Sequence, residues 1–142
     1  MSYREILLAV DLGDGCDAVG TRAAALAGAF GARVHLLHVV EYVPVDPAGE
    51  ELMPPPVDLE MELLEGARDR LAELAERIGL AGAPQEVCIG SIKTEIVRAA
   101  EEIQADLIVI GRHHRHGLAL LLGSTDRSLL KAAPCDVLAV RV

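Results

Sequence analysis

Five short strand-like runs, separated by stretches with helical periodicity, constrain this chain more than any other feature. Ile6 to Val10 reads Ile-Leu-Leu-Ala-Val with no polar alternation, the pattern of a strand buried on both faces. Arg33–Val40, Glu86–Ile89, Leu107–Ile110 and Val137–Val140 follow as further strands. Between them lie helical patterns over Ala18–Phe30 and Asp58–Ile78, a third opened by Gly90-Ser91 with Ser91 as N-cap, and a fourth over Thr125–Ala132. Gly31, Gly79 and Pro134 supply the stops. In the longest, Leu59, Leu63, Ala67, Leu71, Leu74 and Ile78 recur at spacings of three and four, which predicts one apolar face. Strand and helix alternating four times, then a last strand, predict an α/β domain. Its sheet is open, five-stranded and parallel, with right-handed crossovers and helices on both faces, Rossmann-like or flavodoxin-like.

Length and composition fit that architecture. One domain over residues 1–142 is expected. Half the residues are hydrophobic but aromatics make up 2% and Trp is absent, so the core must be aliphatic. A net charge of −9 opposes binding to nucleic acid or anionic lipid. Cys16, Cys88 and Cys135 form no CxxC pair, so no disulfide framework or cysteine zinc site is expected. Cys88 and Cys135, in or beside apolar runs, read as small buried hydrophobes. The first apolar run is too short for a signal sequence and none approaches the ~18 residues of a membrane span. The expected location is the cytoplasm.

In an open parallel sheet, ligands bind beyond the C-terminal strand ends where the strand order reverses, here between strands one and four. Asp11 and Gly111 follow those strands. Asp11 could accept a ribose hydroxyl, hold a divalent cation, or close an Asx-type turn. The fourth strand is expected to break at Gly111 into a basic island, Arg112-His-His-Arg-His116, before Gly123-Ser124-Thr125 opens a helix. Strand, glycine, basic loop and helix N-terminus form a candidate anion site, with phosphate contact from Arg112, His113 or Arg115. The interleaved arginines oppose a metal at His113, His114 and His116. His35 and His38, within the second strand, read as packed or edge residues. Gly13-Asp-Gly15-Cys-Asp-Ala18 matches GxGxxA, and an NAD-type dinucleotide enzyme is the weakest reading. Asp11, Asp14 and Asp17 would crowd a pyrophosphate, so a plain glycine turn is preferred. Glu41–Val57 holds five of the seven prolines, including Pro54-Pro55-Pro56. This is a long loop available to protein partners or simply a surface excursion.

Over essentially its whole length the chain resembles the universal stress protein family. The matching pieces are Ile6-Leu-Leu-Ala-Val-Asp11, His38-Val39, Ala105-Asp-Leu-Ile-Val-Ile-Gly111, Gly123-Ser124-Thr125 and Pro134-Cys-Asp-Val-Leu-Ala-Val140. The resemblance implies the adenine nucleotide alpha hydrolase-like version of the fold and a stress-response regulator that dimerises through Val137–Val142. It also implies ATP or AMP as ligand, with Mg a candidate companion, and at most a slow ATPase. Asp11 and Val39, flanked by Ala9 and Ile110, would face ribose and adenine. Gly111, Arg112, His113, His114, Gly123, Ser124 and Thr125 would lie toward the phosphates. The chain departs from the family's nucleotide pattern, because His114 stands in place of the second glycine and the spacer Arg115–Leu122 is eight residues where nine are usual. A His Cβ restricts backbone approach and positive φ. The Arg-His-His stretch resembles the family branch, typified by universal stress protein A, that has lost nucleotide binding. A nucleotide-free dimeric interaction protein therefore stands beside the nucleotide-binding reading.

Overall fold

In the computed structural model, residues 2–41, 57–112 and 127–142 are described. They form β1 (Glu5–Ala9), α1 (Cys16–Phe30), β2 (Arg33–Val40), α2 (Val57–Arg77), β3 (Gln85–Ile89), α3 (Ile92–Glu102), β4 (Leu107–Arg112) and β5 (Asp136–Arg141). Residues 127–132 are also helical. All strand pairs are parallel and the order is β3-β2-β1-β4-β5. The expected open sheet is therefore present, with β1 central and β4 beside it.

Two cores sandwich the sheet. Ile6 and Leu8 of β1 face Val19, Ala23 and Ala27 of α1 and Leu71, Leu74 and Ala75 of α2. On the other face, Leu7, Leu37 and Ile108 meet Ile96, Ala99 and Ala100 of α3 and Leu129. Consecutive residues of β1 serve opposite cores, which is why its sequence has no polar alternation. Small residues dominate the buried side of α1, which suits close approach to α2. A Cβ on Gly20 would come within 2.7 Å of Ile78 Cδ1.

Three details differ from expectation. The apolar stripe of α2 is buried only in part. Ala67, Leu71 and Leu74 are in the core, whereas Leu59 and Leu63 are 43% and 39% exposed. A helix of 21 residues runs ~31 Å, while the five-residue β3 runs only ~17 Å. The helix outruns the strands it packs on. Second, β4 does not break at Gly111, because Gly111 and Arg112 pair with Val140 and Arg141. The neighbouring strand supplies backbone partners beyond the apolar run. Third, Ser91 occupies the N-cap of α3 but its side chain makes no capping bond. Gly31 and Gly79 adopt the left-handed φ expected of helix stops, +66° and +78°.

The cysteines are free, and Cys88 and Cys135 are less deeply buried than expected. Cys16 is buried, while Cys88 and Cys135 are half-buried, packed at the edge of the second core. Burial and the nearby Glu95 push the Cys88 thiol up to about 11. Burial also raises Cys16 and Cys135, so all three favour the unreactive thiol.

At the N-terminal end of the central strands, away from the crevice, Glu5 is gripped by His35 Nε2 at 2.9 Å and by Arg33. Burial pushes the Glu5 carboxyl up, but the bonds from His35 and Arg33 more than offset this and hold it below its ordinary 4.5. A carboxyl depressed in the folded state stabilises at pH values above its unfolded value, and that contribution disappears as pH falls through the folded value. Glu5→Gln is therefore expected to lower stability by about 1 kcal/mol at neutral pH. The deficit should close as the pH drops below about 4.5, as read by urea unfolding of both proteins across pH 7 to ~3.

Candidate functional site

The site is built where β1 leaves the sheet. Ala9 pairs with Leu37 as the last register pair, and the Val10 N–H still donates to the Leu37 carbonyl at 3.0 Å. The Val10 carbonyl accepts a 2.7 Å bond from His38 Nδ1. Leu12 then takes φ +61°, a left-handed conformation that costs a non-glycine residue ~1–2 kcal/mol. Its side chain is 8% exposed within the α1/α2 core, and burying a leucine gives ~1.5–3 kcal/mol. Burial outweighs the strain, so a bulky residue stands where glycine would be the easier backbone choice.

Asp11 lies between these two residues. Its Oδ1 accepts the Gly13 N–H at 2.9 Å, which makes the Asx turn anticipated for it. Gly15, at φ +89°, is the N-cap of α1, and a Cβ there would sit 2.8 Å from Val142 Cβ. Both demands call for glycine. The GxGxxA match thus has a turn-geometry explanation, and the acids Asp11, Asp14 and Asp17 surround it.

A cavity of about 370 Å³ opens over the C-terminal ends of β1, β2 and β4. That volume falls in the ~300–1,000 Å³ range of small-molecule clefts. Ala9, Val10, Val39, Ile92, Ile96, Ile110 and Leu129 make its walls mostly apolar, and Asp11, His38 and Glu41 supply its polar side chains. The chemistry on offer is a slot for a flat apolar or heteroaromatic group, with carboxylates able to accept from hydroxyls. Two negative groups in the lining disfavour an anion at that end.

Five of the residues expected at the site converge on this cavity: Ala9, Asp11, Val39, Ile110 and Gly111. Arg112 continues β4 beside it, in register with Arg141. His113, His114, Gly123, Ser124 and Thr125 lie outside the described residues. So do residues 42–56 of the proline-rich stretch; its last residue, Val57, opens α2. The structure adds members not singled out as site residues, among them His38, Glu41, Cys16, Ile92, Ile96 and Leu129. For Ile92 and Ile96 a signal existed, since they lie one turn apart at the N-terminus of α3, the end directed at the strand termini. His38 is marked in the sequence only through the His38-Val39 match, and its partner is the Val10 carbonyl.

Among the described residues no helix is long and apolar enough to cross a membrane. Residues 2–141 match the family model described as the Universal stress protein family. Universal stress protein A homolog 1 of Coxiella burnetii is 39% identical over 140 residues, spanning 99% of this chain and 97% of the relative. The solved structure of universal stress protein UspA from Lactobacillus plantarum superposes with a TM-score of 0.76 at 26% identity, covering 99% of each chain. The universal stress protein from Archaeoglobus fulgidus, solved in complex with dAMP, aligns over 99% of each chain with a TM-score of 0.64 at 25% identity.

Proposed function

The chain belongs to the universal stress protein family, and we propose that it is a cytoplasmic regulator that binds an adenine nucleotide, ATP or AMP, in the crevice beyond β1 and β4. The observation that carries this reading is the 370 Å³ cavity with Asp11 and Gly111 both in its lining. Its apolar walls suit a purine, with Val39 beside the base and Asp11 accepting a ribose hydroxyl. The two carboxylates keep phosphate away from that end, so the phosphates extend past Gly111 toward Arg112, His113 and Gly123-Ser124-Thr125. Magnesium would accompany ATP there by neutralising the phosphates. The dAMP held by the Archaeoglobus fulgidus relative supports a nucleotide of this class.

A second reading is favoured by one specific observation. His114 replaces a phosphate-loop glycine and the following spacer is one residue short, which fits a nucleotide-free interaction protein. Titration with ATP, AMP and NAD, with and without magnesium, separates the two by thermal shift or calorimetry. Binding at a hundredfold excess over Kd adds ~2.7 kcal/mol of stability, and a rise in Tm with ATP or AMP is the expected result. No response to any of them leaves the interaction reading, and a response to NAD alone overturns both. β5 forms one edge of the sheet, and pairing of Val137–Val142 with a second copy would cover that edge. Light scattering should then report the mass of two chains.

A further inference from the structure

Asp11 is fastened from outside its own loop, through the peptide unit that precedes it and the one that follows Leu12. The Val10–Asp11 unit is held by its carbonyl, which accepts from His38 Nδ1 at 2.7 Å. In the Leu12–Gly13 unit, the Leu12 carbonyl accepts from the Arg70 guanidinium at 2.7 Å. The Gly13 N–H at the other end of that unit donates to Asp11 Oδ1 at 2.9 Å. Because a peptide unit is planar and rigid, grasping its carbonyl fixes the direction of its N–H. A guanidinium on the carbonyl also polarises that N–H toward the carboxylate, since linked hydrogen bonds reinforce one another.

We infer that His38 and Arg70 are positioning residues for Asp11, an inference that rests on the nucleotide-binding reading. Neither is required to touch the ligand. Arg70 is carried by α2, whose following residue Leu71 is fully buried, so the guanidinium reaches Leu12 from an anchored element. It also holds the carbonyl of the left-handed Leu12, where release would let the peptide turn and withdraw the Gly13 N–H. His38 has a defined chemical state in this role. A carbonyl oxygen only accepts, so Nδ1 must carry a proton, and neutral His38 is the Nδ1–H tautomer. Protonation of the ring leaves this bond intact, because both nitrogens of the cation donate.

Four variants of the full chain test this. Arg70→Met and His38→Gln remove the tethers. Arg70→Lys keeps a cationic donor, and His38→Asn keeps an amide N–H at the δ position, which Gln cannot supply. Three readouts are needed: exchange of the Gly13 amide without ligand, AMP affinity by calorimetry, and the tautomer of His38. Arg70→Met is expected to speed Gly13 exchange about tenfold and weaken AMP about tenfold, with His38→Gln weakening AMP by a similar factor. Arg70→Lys and His38→Asn should recover most of these losses. Nitrogen-15 spectra of His38 should show the Nδ1–H tautomer at high pH. The inference is overturned if Gly13 exchange is unchanged in Arg70→Met, if the tautomer is Nε2–H, or if Asn and Gln at position 38 behave alike. A wild type that binds no AMP sinks the nucleotide reading instead, while Gly13 exchange and the tautomer still decide how Asp11 is held.

Discussion

Leu71→Ala is expected to cost about 2–5 kcal/mol of folding stability, whereas Leu59→Ala should change stability by no more than about 0.5 kcal/mol. Both residues belong to the same apolar stripe of α2 and the chemistry of the two substitutions is identical. They differ in what lies opposite. Leu71 is fully buried between α2 and the sheet, so its truncation removes transfer energy and leaves a cavity that fixed neighbours cannot fill. Leu59 is 43% exposed on the overhang of α2, and alanine's slightly better helix propensity offsets part of the lost contact. Urea unfolding of the two variants against wild type measures the difference directly, with unchanged m-values as the check that only stability moved. Equal losses at the two positions would mean that the N-terminal turns of α2 are covered in solution.

The same pair shows what could and could not be read in the sequence. Periodicity says which face of a helix turns inward but carries no information about the length of its partner, so Leu59 and Leu63 were assigned to a core they do not enter. β1 was legible because a central strand must be apolar on both faces, and few other elements of its length share that pattern. Gly111 looked like punctuation, yet backbone pairing with β5 carries the strand through it. The strand-end rule anticipates the meeting of Asp11 and Gly111 in the cavity lining, since the chirality of strand–helix–strand units leaves few strand orders to choose from. What stayed hidden was the support beneath Asp11. His38 and Arg70 act on carbonyls 28 and 58 positions earlier in the chain, and any residue can present a carbonyl. No residue type marks such a partner in advance.

Gly111→Val should weaken adenine-nucleotide binding by about 10- to 100-fold while leaving stability within about 1 kcal/mol of wild type. The backbone permits the change. Gly15, Gly31 and Gly79 are the glycines with left-handed φ among the described residues. Gly111 is instead a paired strand residue opposite Val140, where a β-branched side chain is at home. Its new methyl groups would enter the lining of the cavity at the point where the proposed ligand passes from ribose to phosphate. A paired readout is needed, with AMP and ATP affinity from calorimetry and the unfolding midpoint from urea. Gly82→Ala serves as control, since a Cβ there meets nothing within 4 Å and lies outside the cavity lining. Wild-type affinity in Gly111→Val would move the nucleotide away from β4 and with it the assignment of the crevice. Loss of affinity with an unchanged unfolding midpoint would tie the ligand to the strand end itself, because the only new feature is three carbon atoms at the cavity wall.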